Sequence, residues 1–270
     1  METIKGLFQL KSLAKTDVMP VLFVGHGNPM NAIEDNSFTQ SWRKVSQTIA
    51  RPQAIVVISA HWVTNGHYLT GSLQPETIHD FYGFPDQLYT IHYRANGLPA
   101  LAEEVSALTQ FISPSTEWGF DHGTWSVLNQ MYPNADIPVL QLSINQDFSP
   151  LAEAELMGQL QFLRNHGVLF IGSGNIIHNL GLVNWQDPRP YDWALAFDAQ
   201  VKDLLEKRDL QSLANYHSLG KPAQYSVPTD EHYRPMLAAL ALADPDDQLT
   251  FFNEAIVMGS VGMRSFILRK

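Results

Sequence analysis

Along this chain, short apolar runs break at glycine or serine, and a histidine follows. Val21-Leu22-Phe23-Val24 breaks into Gly25-His26-Gly27. Ile55-Val56-Val57-Ile58 breaks into Ser59-Ala60-His61-Trp62. Val168-Leu169-Phe170-Ile171 breaks into Gly172-Ser173-Gly174-Asn175, with His178 beyond it. Unbroken apolar runs rich in β-branched residues read as strands of a parallel sheet buried on both faces. Strands are predicted at residues 20–24, 54–59, 138–143, 167–172 and 264–268.

Helical spacing fills the intervals. Pro99 suits a first helical position, with Leu101, Val105, Leu108 and Ile112 behind it. Ser149 caps a second helix that Pro150 opens, and Leu156, Leu160 and Leu163 form its buried side. Phe197, Val201, Leu204 and Leu205 make another stripe. Pro235 opens a last helix over residues 236–242, which leaves His232 in the loop before it. Alternating strands and helices predict an α/β fold: a single layered domain over residues 1–270 with a central, mostly parallel sheet flanked by helices. No Gly/Ser-rich or Pro-rich linker and no fixed-period repeat divides the chain. Residues 71–96 differ from the rest, being aromatic and rich in turn formers, as in Ile78-His79-Asp80-Phe81-Tyr82-Gly83-Phe84-Pro85. A loop this long and apolar reads as one wall of a pocket.

Open α/β sheets bind ligands beyond the carboxyl ends of their strands. The strand-end histidines therefore point to chemistry at one sheet edge. Imidazole is the commonest protein metal ligand, so a metal centre is the first hypothesis. His26 has glycine on both sides, which permits tight backbone angles and keeps other side chains away. His61 follows a strand of the same type. His122 lies in Asp121-His122-Gly123, and His232 ends the polar stretch Pro228-Thr229-Asp230-Glu231-His232. Asp121 and Glu231 are candidate carboxylates for fixing a histidine tautomer. The Gly-Ser-Gly-Asn segment before His178 is alternatively a phosphate-binding turn, although its G-x-G pattern is incomplete and no lysine follows. His67, His79, His92, His166 and His217 carry no such placement; His166 and His217 read as exposed.

Composition narrows the chemistry. Hydrophobic residues make up 45% of the 270, enough for a full core. The net charge of −10 comes without a basic stripe, which argues against nucleic acid as a partner. With no cysteine, disulfides, thiolate metal sites and a cysteine nucleophile are excluded. Any metal must be held by His, Asp, Glu or main-chain oxygen. An all-imidazole site suits Zn, Fe or Cu rather than Mg or Ca. The first fifteen residues lack the apolar stretch of a signal peptide, and no run approaches the ~20 residues that span a bilayer. The expectation is a cytoplasmic protein, without membrane partners, acting as a monomer or small homo-oligomer.

Taken together, several motifs resemble one family. They are Gly25-His26-Gly27-Asn28-Pro29, Ser59-Ala60-His61-Trp62, the stretch from His79 to Pro85, and Asp121-His122-Gly123. Gly172-Ser173-Gly174-Asn175 with His178-Asn179, and Pro228-Thr229 with Glu231-His232, complete the set. The chain is similar to the class III extradiol ring-cleavage dioxygenases over about residues 21–235, and most of all to their 4,5-DOPA extradiol dioxygenase branch. That resemblance implies one divalent non-haem metal ion, a catechol as the small-molecule substrate, and ring opening by O2 to a muconic semialdehyde. It implies His26, His61 and His232 as metal ligands, His178 as a fourth ligand or an acid–base residue, and His122 as a catalytic pocket histidine. Trp62, Phe81, Tyr82 and Phe84 are expected to stack on the substrate ring. Better-known members of the wider superfamily hold Fe(II) with two histidines and one carboxylate, whereas His232 puts a neutral ligand in third place. That departure implies Zn2+ in the isolated protein and Fe2+ in the redox-active form. Two other classes use the same residues. One is a zinc hydrolase with Glu231 or a histidine as base. The other is a non-catalytic metal-binding protein with a closed four-histidine site. The aromatic segment favours the dioxygenase.

Overall fold

Ten strands form in the computed structural model, which describes residues 10–270. They are β1 (Val21–Gly25), β2 (Ala54–Thr64), β3 (His67–Thr70), β4 (Ile112–Ser115), β5 (Val139–Asn145), β6 (Val168–Gly174), β7 (Gln248–Phe252), β8 (Ile256–Val257), β9 (Val261–Gly262) and β10 (Ser265–Arg269). The helices are α1 (Ser37–Gln47), α2 (Asp86–Tyr89), α3 (Pro99–Leu108), α4 (His122–Met131), α5 (Pro150–Gly158), α6 (Asp192–Glu206), α7 (Leu210–Ala214), α8 (Lys221–Ser226) and α9 (Arg234–Ala241). Eight strands make one sheet in the order β4-β3-β5-β2-β6-β1-β10-β7. Its centre, β5-β2-β6-β1, is parallel throughout. β10 joins β1 antiparallel and carries β7 at the edge, while β3 meets β5 antiparallel.

The unbroken apolar runs have a direct cause. Along β1, Val21 and Phe23 enter one core, while Leu22 and Val24 enter the other. β2 and β6 alternate in the same way, so both faces of the central strands are covered. α9 packs against β6 on the first face, and α4 packs against β2 on the second. Each fully buried Leu, Ile, Val or Phe contributes about 1.5–3 kcal/mol of transfer free energy. The sheet therefore carries its own stability, independent of any ligand at its edge.

Three departures from the sequence expectation have local causes. β2 runs on to Thr64 instead of ending at Ser59, because a register shift between Ile58 and Val63 lets pairing with β5 resume. Ile112 does not continue α3. The helix stops at Leu108, and residues 112–115 form the edge strand β4, where Pro114 costs no ladder bond on the open side. Leu160 and Leu163 leave α5 after Gly158 and are buried from a separate 3-10 turn, Gln161–His166.

The aromatic segment has little regular structure beyond α2, yet it is pinned. Trp125 Nε1 donates to Ile78 O at 2.8 Å, and Tyr93 Oη donates to Tyr132 O at 3.0 Å. No helix among the described residues is long and apolar enough to cross a membrane.

Candidate metal centre

Four carboxyl-edge elements meet around one point. His26 follows the last residue of β1. His61 lies in β2 within the register shift, a place where an irregular ladder re-aims side chains. His122 is the first residue of α4, and His232 sits in the turn just before α9. One nitrogen each from His26, His61 and His232 can be chosen so that all lie within 4.8 Å of one another. His26 Nε2 and His61 Nε2 are 3.3 Å apart.

The far nitrogens decide which lone pairs face inward. Ser173 Oγ donates to Gly123 O at 2.6 Å, so its lone pair accepts from His26 Nδ1 at 3.0 Å. His26 therefore turns an unprotonated Nε2 to the centre. Glu231 Oε1 accepts from His232 Nδ1 at 3.2 Å, and His232 Nε2 is buried with no hydrogen-bond partner. A buried polar atom without a partner costs about 1–3 kcal/mol. A divalent cation answers that cost, and three neutral imidazoles are a fitting donor set for zinc or iron.

The electrostatics keep these rings neutral. Burial, followed by the neighbouring histidines, holds His26 and His232 well below the usual imidazole range. Burial also brings His61 down to about 3 and His178 down to about 4. Metal ligation needs the unprotonated ring, so these rings meet a cation without first losing a proton.

Two further histidines complete the cluster. The His122 ring centre is 3.9 Å from that of His61 and 5.6 Å from that of His26. Its Nδ1 is 2.9 Å from Asp80 Oδ2, and its backbone N donates to Asp80 Oδ1 at 2.8 Å. Asp80 Oδ2 also lies 3.4 Å from His61 Nδ1. Burial pushes the Asp80 carboxyl up, but its hydrogen bonds with the His122 ring and backbone outweigh that and hold it below the ordinary value. His178 lies face to face on His232, with ring centres 3.5 Å apart and planes 9° from parallel.

Several expectations change at this point. Asp121 does not orient His122. It caps α4 through Thr124 N, accepts from Ser59 Oγ at 2.7 Å, and is bonded by Gln141, and burial raises it to about 6. Asp80 makes the contact expected of Asp121. Glu231 does sit on His232 as anticipated. Nor is Gly172-Ser173-Gly174 a phosphate turn: all three residues lie inside β6. A Cβ on Gly172 would overlap Pro235 O, and one on Gly174 would overlap His232 O. The glycines are there so that the chain entering α9 can lie on the strand.

The four aromatic residues divide. Phe81 meets His122 edge-on at 5.6 Å, and Phe84 packs on Phe81 at 5.3 Å. Trp62 is buried in a stack with Trp118, and its ring pairs with neither Phe81, Phe84 nor the clustered histidines. Tyr82 is 92% exposed and projects into solvent. Sequence reasoning missed Asp80 and Ser173 as partners of the histidines. The signal for Asp80 was a single acid inside an otherwise aromatic run.

Residues 19–262 match the family model described as the catalytic LigB subunit of aromatic ring-opening dioxygenase. The chain belongs to the LigB family. It is an extradiol-type, metal-dependent ring-opening dioxygenase, which accounts for a neutral histidine cluster with an aromatic flank. A 4,5-DOPA dioxygenase extradiol of Escherichia coli K12 is 46% identical over 256 residues, covering 92% of this chain and 93% of the relative. The protein of the same name from Beta vulgaris is 34% identical, covering 90% and 93%. Among solved structures, an uncharacterised Escherichia coli K12 protein superposes with a TM-score of 0.80 at 41% identity, covering 92% of this chain and 99% of that one. The LigB-family assignment and the α/β layered fold thus agree with the motifs in the sequence.

Proposed function

We propose that this LigB-family enzyme opens the ring of catechols of the DOPA type with O2, using Fe2+ held by His26, His61 and His232. The observation that carries the proposal is the convergence of these three rings, with the buried, unpartnered His232 Nε2 among them. Bound there, Fe2+ would supply the redox step that a ring-opening reaction with O2 requires, and Zn2+ would fill the same ligands without supplying it.

The chain's own residues do the rest. His122 Nδ1 is engaged by Asp80, so Nε2 is the atom that takes a phenolic proton. Phe81 and Phe84 form the apolar wall against which the ring is oriented, an edge or offset contact worth about 0.5–1.5 kcal/mol beyond burial. His178 is a proton carrier and not a fourth ligand. A ligand's lone pair lies in its own ring plane. The His178 plane runs nearly parallel to that of His232, with the rings stacked, so both lone pairs do not meet at one ion.

The test is anaerobic Fe2+ loading followed by L-DOPA in air. One O2 should be consumed per ring opened, a yellow semialdehyde should appear, and 18O2 should label the product. The zinc-loaded protein should do none of this. Survival of every catechol offered, together with cleavage of an ester or amide by the zinc form under nitrogen, would replace this reading with a hydrolase.

A further inference from the structure

Asp80 touches both His61 and His122, the proposed metal ligand and the proposed proton carrier. We propose that Asp80 is a positioning residue that sets the tautomers of His61 and His122 together. The inference rests on the reading of His61 as a ligand and His122 as the proton carrier.

The geometry is specific. Asp80 Oδ1 accepts from the His122 backbone N–H at 2.8 Å, and a backbone amide is a donor under all conditions. Oδ2 is hydrogen-bonded to His122 Nδ1 at 2.9 Å and lies within ion-pair distance of His61 Nδ1, at 3.4 Å without a hydrogen bond. A carboxylate has no proton to offer, so the hydrogen-bonded His122 ring must present N–H to it, and its negative charge favours N–H over a lone pair on the nearby His61 Nδ1. Both Nδ1 atoms then carry the proton, and both Nε2 atoms carry the lone pair. For His61 that lone pair lies 3.3 Å from His26 Nε2, where a shared cation belongs. For His122 it is the base. One side chain therefore prepares one ring to bind metal and its neighbour, 3.9 Å away, to accept a proton.

Asp80→Asn separates this role from mere space filling, because asparagine keeps the shape and one acceptor. If its oxygen stays on the His122 N–H, its NH2 group faces both Nδ1 atoms. The rings must then accept there, moving their protons onto the Nε2 atoms that ligation and catalysis need bare. If the amide turns over, the His122 N–H loses its acceptor. Asp80→Asn should thus weaken Zn2+ binding by about 10–100-fold, a typical loss when an outer partner of a ligand is removed. The measurement is competition with a chromophoric chelator on the apo protein, with neither catechol nor O2 present. In the iron-loaded protein, kcat for L-DOPA should fall while KM changes little. Wild-type zinc affinity and wild-type kcat in Asp80→Asn would overturn the proposal.

A second measurement does not depend on the variant folding. In 15N-labelled wild-type protein, His61 and His122 should both show the Nδ1–H tautomer, and Nε2–H on either ring overturns the proposal. Failure of the wild-type iron protein to open any catechol would remove the functional reading alone, leaving the zinc and tautomer results to decide on Asp80.

Discussion

Removing a single imidazole should separate holding the ion from using it. His232→Ala deletes the unpartnered Nε2, so metal content measured by elemental analysis should fall severely. Added Zn2+ should raise the Tm of the wild-type protein, a mass-action effect of binding the folded state, and that rise should vanish in the variant. His122→Ala should keep its metal and lose turnover by about 10²–10⁴-fold, the range of a general acid–base group. Near-normal kcat at saturating catechol would sink that role. His178→Ala should behave like His122→Ala, because its stacked geometry points away from ligation; loss of metal from this variant would make it a ligand after all. The histidines were legible in the sequence because each lies at or near the carboxyl end of a strand or the start of a helix, and those places converge. Asp80 was not, because an acid inside an aromatic run marks a position without naming the rings it meets across the fold. Tyr82 and Trp62 looked equivalent to Phe81 and Phe84 because aromatic identity says nothing about which way a loop or strand residue points.

At the level of elements, the approach of α9 to β6 places His232. Gly172 and Gly174 leave the strand bare so that the Pro235 and His232 carbonyls can lie on it, and Asn175 N donates to His232 O at 2.9 Å. Gly174→Ala should therefore lift the His232 turn off the strand. The expected result is a folded protein with weakened zinc affinity, measured by the same chelator competition. Unchanged affinity would show that the turn adjusts without moving the ring. The central strands were readable because burial on both faces makes every residue apolar. The fate of these glycines was not, since a glycine kept for a neighbouring backbone looks in sequence like one kept for a phosphate. Residues 112–115 misled for a related reason: Ile112 continues the helical stripe of α3, and only pairing with β3 makes it strand.

Across the whole molecule, stability and site are separable. Arg164 is 1% exposed and pairs with the buried Asp247 at 2.8 Å, while its Nε donates to Met19 O at 2.7 Å. Removing one partner of a buried pair strands the other charge. Arg164→Met should cost about 3–5 kcal/mol in urea unfolding. It should leave the zinc affinity of the folded protein unchanged, since none of its partners touches the histidines. The layered sheet was legible as a class, but not its order, which places β1 between β6 and β10. That order has a consequence for how the enzyme is made. His232 and the strand β10 that flanks β1 are synthesised long after His26 and His61. With the proposed ligands, a growing chain that has not reached His232 displays only two of the three imidazoles. On the proposed ligand set, metal is expected to load only after His232 has been made, and the ion carried should then follow the metals that surround the folded protein.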